Sequence, residues 1–227
     1  MKIIQTSLFT IGGLGILLLS SCHNLVVGAG DIIEKESYID TTSTINFTEI
    51  EVRSDCNVYL KQDNYTEVII QGYENLVPHV NSRLEGNTYI IELAPDYVFD
   101  NNNIYIYITT PAYTKISLQS QSSITAIDSI NGSHLEVVNN SSGTIALFGE
   151  MNTLVAHSAG PGITRLCALT ADTVTAVMLG SGVLSTKPMD KLNAQVQGSG
   201  QIQYVGSPIL NFSITGTGSL LQTLGCY

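Results

Sequence analysis

Along much of the chain apolar and polar residues alternate, the period-two pattern of a β-strand with one buried face. The pattern is most regular in the second half. Six segments there, ISLQSQ from Ile116, LEVVNN from Leu135, LVAHSA from Leu154, VTAVML from Val174, LNAQVQ from Leu192 and LNFSIT from Leu210, start at intervals of 19, 19, 20, 18 and 18 residues. Each is followed by a small-residue triplet: SSI, SSG, GPG, GSG, GSG and GTG in turn. Positions one and three of every segment are apolar, from Ile116 and Leu118 to Leu210 and Phe212, and no helix satisfies that spacing. Position five is polar in the first three copies (Ser120, Asn139, Ser158) and apolar in the last three (Met178, Val196, Ile214), which predicts a short interior ladder of polar side chains.

A second apolar residue after each triplet (Ile124, Ile145, Ile163, Val183, Ile202, Leu220) completes a unit of about 19 residues. Such a unit cannot bury its apolar face alone, but stacked copies share a continuous core. The predicted fold class is therefore all-β, a parallel β-helix or solenoid. At roughly 4.8 Å per coil, six coils rise about 24 to 29 Å. The triplets mark corners, where glycine reaches positive φ without strain and has no Cβ to meet the next coil. A phosphate cradle is disfavoured, because no copy supplies GxxxxGK followed by Ser or Thr, or GxGxxG opening a helix.

Before the repeats the alternation continues without the triplets, at Ile50 and Val52, Val58 and Leu60, Val68 and Ile70, Tyr89 to Leu93, and Ile104 to Ile108. Turn residues separate these runs at 62–65, 85–87 and 100–103. This region reads as less regular coils or a β cap, the covering that an open solenoid end requires. The organisation expected is a leader over 1–21, a tether over 22–30, and one β-helix domain over 31–227, irregular to residue 110 and regular from 111.

Composition places the chain in a compartment. Of 227 residues, 44% are hydrophobic, enough for one sizeable core. The apolar run Leu8–Leu19 behind Lys2 is too short to span a hydrocarbon core, which needs roughly 20 residues, and matches a signal peptide. Leu19, Ser20, Ser21 and Cys22 then resemble a bacterial lipoprotein box, which makes Cys22 the expected lipidation site and the lipid the link to the membrane. Cys56, Cys167 and Cys226 are too few for a disulfide framework; one pair is allowed, and its members are left open. Fourteen acids against four bases lie between Asp31 and Asp100, whereas the rest is nearly neutral, which excludes a nucleic-acid partner.

The stretches GAGDIIEKE (Gly28 to Glu36), FTEIEVRSDCNVYLKQ (Phe47 to Gln62), YENLVPHV (Tyr73 to Val80) and IYIYITTPAYTKISL (Ile104 to Leu118), with the later glycine triplets, resemble the head GIN domain of Bacteroidetes lipoproteins described as auto-transporter adhesins. The resemblance runs over about residues 28 to 224. Asp55, Cys56 and Asn57 stand where the naming triplet has Gly, Ile and Asn. The resemblance implies a right-handed parallel β-helix on the cell envelope, and no binding residue comes with it.

Candidate chemistry is sparse. Among the outward positions of the six segments Glu136 is the one acid, so neighbouring coils offer no acid and base pair there. His23, His79, His134 and His157 are dispersed, and HExxH, CxxC and GxSxG are absent. Asp96 and Asp100 with Asn101 to Asn103 lack the spacing of an EF-hand loop. Tyr97, Tyr105 and Tyr107 could stack on a sugar or simply pack. Thr41, Ser129 and Thr173 each follow an aspartate, as in the O-glycosylation signal of Bacteroides-type envelopes. The function expected is a non-enzymatic, lipid-anchored envelope protein that presents a β-helix surface for adhesion, to a glycan or to another envelope protein. A polysaccharide-active β-helix enzyme and a purely structural envelope protein are the alternatives. No cofactor or metal is expected, and the location is the outer membrane, on either face.

Overall fold

The computed structural model describes residues 25–27, 38–42, 46–73, 75–94, 97–99 and 103–225; the leader and Cys22 lie outside them. The first half supplies β1 (Leu25–Val27), β2 (Tyr38–Thr42), β3 (Glu49–Val52), β4 (Asn57–Gln62), β5 (Glu67–Gly72), β6 (Val80–Glu85), β7 (Thr88–Leu93), β8 (Tyr97–Phe99) and β9 (Tyr105–Thr110), with a short 3-10 turn at Val77–His79. The second half supplies β10 (Lys115–Leu118), β11 (Ser123–Ala126), β12 (Ile130–Asn139), β13 (Thr144–Ser158), β14 (Ile163–Met178), β15 (Val183–Val196), β16 (Gln201–Val205), β17 (Ile209–Ile214) and β18 (Ser219–Thr223). No α-helix occurs among the described residues.

The strands wind into a β-solenoid with two long walls and one short one. On the first wall Tyr89, Ile50, Ile116, Val137, Ala156, Ala176, Ala194 and Phe212 form one column through parallel pairings. On the second wall the column is Ile106, Val58, Ile124, Ile145, Thr164, Leu184, Ile202 and Leu220. Strands β13, β14 and β15 are long because each turns from the second wall through the third and into the first wall of the next coil. The column members from Ile50 to Ala176 are fully buried. Each Leu or Ile so placed contributes roughly 1.5 to 3 kcal/mol before the entropy cost of ordering it.

Stacking order departs from chain order. The coil of β3 and β4 lies between that of β7 and β9 on one side and that of β10 and β11 on the other. The chain therefore leaves its first coil, builds the one beneath it, and returns to continue above. Strands β2, β5 and β6 then pair antiparallel and close this end. The N-terminal sheet region is thus less regular than the coils that follow it. The alternation did not reveal β6, because most of its residues are exposed. Ion pairs from Arg83 to Glu85 (2.6 Å) and to Glu92, and from Arg53 to Glu51 (2.5 Å), line the outer face here.

Three details of the repeat differ from the sequence reading. Ile116 pairs with Val137 and not Leu135, so the first interval is 21 residues, and Leu118 rather than Ser120 stands below Asn139. Ser120 instead donates to the Ser54 carbonyl (2.7 Å) at the corner. Asn139 and Ser158 do stack in the interior. Thr164 and Leu184, not Ile163 and Val183, point inward on the second wall, a shift of one residue.

The glycine corners have a single cause, not two. Positive φ among the described glycines occurs at Gly86, Gly149 and Gly206, none of them in a triplet. In the triplets the neighbouring backbone is what excludes a side chain: a Cβ on Gly162 would lie 2.2 Å from the Gly143 carbonyl oxygen, and one on Gly182 2.1 Å from that of Gly162. Their N–H groups donate to the preceding coil, Gly162 to Ser141 (2.9 Å) and Gly200 to Gly180 (2.9 Å). These donors are consumed by the fold, which removes the phosphate-cradle alternative.

Candidate binding groove on the third wall

The third wall consists of residues 130–132, 149–151, 169–171 and 187–188 in successive coils. Parallel register sets Asn131, Glu150, Thr170 and Lys187 in one column. Steps of roughly 4.8 Å therefore present a carboxamide, a carboxylate, a hydroxyl and an ammonium side by side. Met151 and Ala171, both buried, belong to the adjacent inward column. An open groove of about 520 Å³ runs over this wall, with Asn152, Asp172 and Met189 also lining it.

Several contacts hold the groove in shape. The Gln62 side chain reaches across from the second wall, accepting from the Asn131 N–H (2.7 Å) and donating to the carbonyls of Asn131 and Pro111 (3.0 Å each). Asn131 Oδ1 accepts from the Glu150 N–H and from Ser129 Oγ, each at 3.0 Å. Asn152 Nδ2 donates to Asp172 Oδ2 (3.3 Å), and Thr170 Oγ1 to the Gly149 carbonyl (3.3 Å). Gly149 makes the corner that starts this wall: its φ is +136°, and a Cβ there would lie 2.1 Å from the Ile130 carbonyl oxygen. The result is a fixed row of hydrogen-bond donors and acceptors beside apolar surface, the lining that orients a small polar ligand.

The residues singled out from sequence do not gather here. Glu136 stands on the first wall, paired with Lys115 at 3.1 Å. His134 and His157 occupy different columns, the first beside Thr153 and the second between Val138 and Val177. No group of three or more metal-ligating side chains occurs among the described residues. Tyr107 stacks on Tyr59, with centroids 5.1 Å apart, on the second wall. Tyr105 precedes it on β9, and the side chain of Tyr97 lies outside the description, as do Asp96 and Asp100. Ser129 and Thr173 are half-buried, Ser129 touching the groove through Asn131; Thr41 lies in β2. Glu150, Asp172 and Lys187 lie between the six-residue segments, where no motif marks them. The intervals from Asn131 to Glu150, Thr170 and Lys187, 19, 20 and 17 residues, carried the same period.

The corner at Asp55 to Asn57 is closed without glycine. Cys56 is buried, its N–H donates to Ser122 Oγ (3.0 Å), and Asp55 Oδ1 accepts from the Gln121 N–H (3.0 Å). Burial pushes the Cys56 thiol up to about 11, the hydroxyls of Ser54 and Ser122 opposing. Cys56 is a free thiol, whereas Cys167, at a bulge of β14, is disulfide-bonded.

Residues 46–208 match a family described as "Putative auto-transporter adhesin, head GIN domain". A putative adhesin from Bacteroides fragilis has a similar structure, with a TM-score of 0.69 at 23% identity, covering 83% of this chain and 98% of that one. A putative lipid binding protein from Parabacteroides distasonis superposes with a TM-score of 0.57 at 17% identity, over 88% of this chain and 100% of its own. A putative adhesin from Parabacteroides merdae gives 0.50 at 16% identity, over 87% and 99%. At these identities the likeness is one of fold. A comparison with curated proteins gives no match.

Proposed function

This chain belongs to the head GIN domain family of adhesin-type proteins, and from that premise we propose that it is a non-enzymatic, lipid-anchored envelope protein that binds its partner through the third-wall groove. The observation that carries the reading is the column Asn131, Glu150, Thr170 and Lys187 beside apolar surface. A glycan hydroxyl both donates and accepts, so a mixed row of neutral, acidic and basic groups matches it better than it matches a purely anionic or cationic ligand. Lipidation at Cys22 holds the solenoid at the outer membrane, and no described helix is long and apolar enough to cross one.

A glycan array probed with the purified full chain tests this reading. Binding to at least one glycan class, weakened roughly tenfold or more in Glu150→Gln and in Lys187→Met, is the expected result. Binding unaffected by either change would move the site elsewhere on the solenoid. Capture of envelope proteins with an empty array would shift the partner from glycan to protein, and failure of both would favour a structural role.

One observation favours the enzymatic alternative. Glu150 and Asp172 line the same groove, and glycoside cleavage uses a pair of carboxylates. Glu136, ion-paired to Lys115, is not the residue to test. Release of reducing ends from a polysaccharide, abolished by Glu150→Gln or Asp172→Asn, would establish that alternative.

A further inference from the structure

The two ends of the solenoid are finished differently. Antiparallel strands close the end at β7 and β9. At the other end β17 pairs only with β15 and β18 only with β16, so among the described residues both strands leave one edge unpaired. Two side chains of the inward columns are uncovered there: Phe212 is 60% and Ile214 41% exposed, whereas Ile209 and Leu221, also exposed, continue the outward columns of Lys191 and Gln203. Phe212 continues the column in which Ala194 and Ala176 are buried, and it is exposed because no described strand lies over it.

Charge distinguishes this end further. No Asp, Glu, Lys, Arg or His occurs from Leu192 onward, in a protein of net charge −10 whose acids are concentrated before residue 101. Exposed strand edges are ordinarily guarded by charge, above all lysine, and here that guard is missing. A foreign acidic or basic surface finds nothing to pair with. Two copies meeting through these ends keep their acidic halves as far apart as the shape allows, the two ends being roughly 34 Å apart at 4.8 Å per coil.

We propose that the β17–β18 end is an interface for a second copy of this chain, joined end to end about a two-fold axis, with β17 pairing antiparallel with its counterpart. Head-to-tail growth is blocked by the cap of β2, β5 and β6, so the assembly closes as a dimer. Strand β2 pairs with β5 at the opposite end.

Sedimentation velocity of the full chain in mild detergent, over a wide concentration range, tests the proposal. A monomer–dimer equilibrium is expected, with its Kd raised at least about tenfold in Phe212→Lys and in Ile214→Lys. Ile127→Lys, at an exposed apolar position on another coil, should leave the Kd unchanged. Hydrogen exchange on the unaltered chain covers the case in which a variant misfolds: amides of 209–223 should gain protection with concentration and those of 80–85 should not. A chain that stays monomeric, species larger than dimers, or protection of β17 only on addition of a different protein would each overturn it.

Discussion

Ile50 lies in register with Ile116, from the next coil above, and on its other side with Tyr89, from the coil beneath. The first coil in the chain is thereby sandwiched by two later ones and joins the cap to the repeats. Ile50→Ala should destabilise the protein by about 2 to 5 kcal/mol, the range for a buried Ile whose neighbours cannot close over the cavity. Urea unfolding followed by circular dichroism measures this; Leu84→Ala, on the exposed strand β6, should cost far less.

Two glycines separate steric from conformational demands. Gly182→Ala would put a Cβ 2.1 Å from the Gly162 carbonyl oxygen, and should cost about 3 kcal/mol or more as two coils are forced apart. Gly86→Ala meets nothing within 4 Å, but its φ of +63° costs an L-residue about 1 to 2 kcal/mol. Thermal midpoints of the two variants should rank in that order, with Ser181→Ala, between two corner glycines, near neutral.

The polar interior gives opposite expectations at two sites. Asn139 Oδ1 accepts from the N–H and Oγ of Ser141, and its Nδ2 donates to the Gly143 carbonyl at 3.1 Å and reaches Thr164 Oγ1 at 3.3 Å. Asn139→Leu strands these groups and should cost about 2 to 4 kcal/mol. Thr186 Oγ1, buried, has no hydrogen-bond partner among the described residues. Thr186→Val should be neutral or stabilising by about 1 kcal/mol, read from the shift in urea midpoint at constant slope.

Cys56 makes stability fall with alkali. Its thiol rises from 9.0 to about 11 in the folded chain, so the folded state keeps a proton that the unfolded state loses. The stabilisation is complete below pH 9 and is lost as pH climbs towards 11, by about 1 kcal/mol between pH 9 and 10. Tyr113, whose hydroxyl donates to the Ile108 carbonyl (2.8 Å), is also pushed up by burial and adds its own loss from about pH 10 upward. Urea titrations at pH 9 and 10 should show this decline in the native chain and a shallower one in Cys56→Ala.

The site was less legible than the fold. Glu136 stood out as a lone acid in the linear pattern, yet Lys115 neutralises it from the coil below. Glu150, Thr170 and Lys187 belong to no motif, and only the pairing of three successive coils sets them in one column. The open β17–β18 end follows the same logic, since LNFSIT reads like any other buried segment until the absence of a covering strand is seen.

Alternation and the recurring small triplets determined by themselves that the chain forms strands, that they wind into a solenoid, and where its corners fall, because side-chain direction and turning are local properties of the backbone. Tertiary structure decided which coil lies on which, the two-residue shift at Ile116, and the reason for the corner glycines. Those depend on which strand edges meet and how closely the backbones approach, and neither is a property of any single segment.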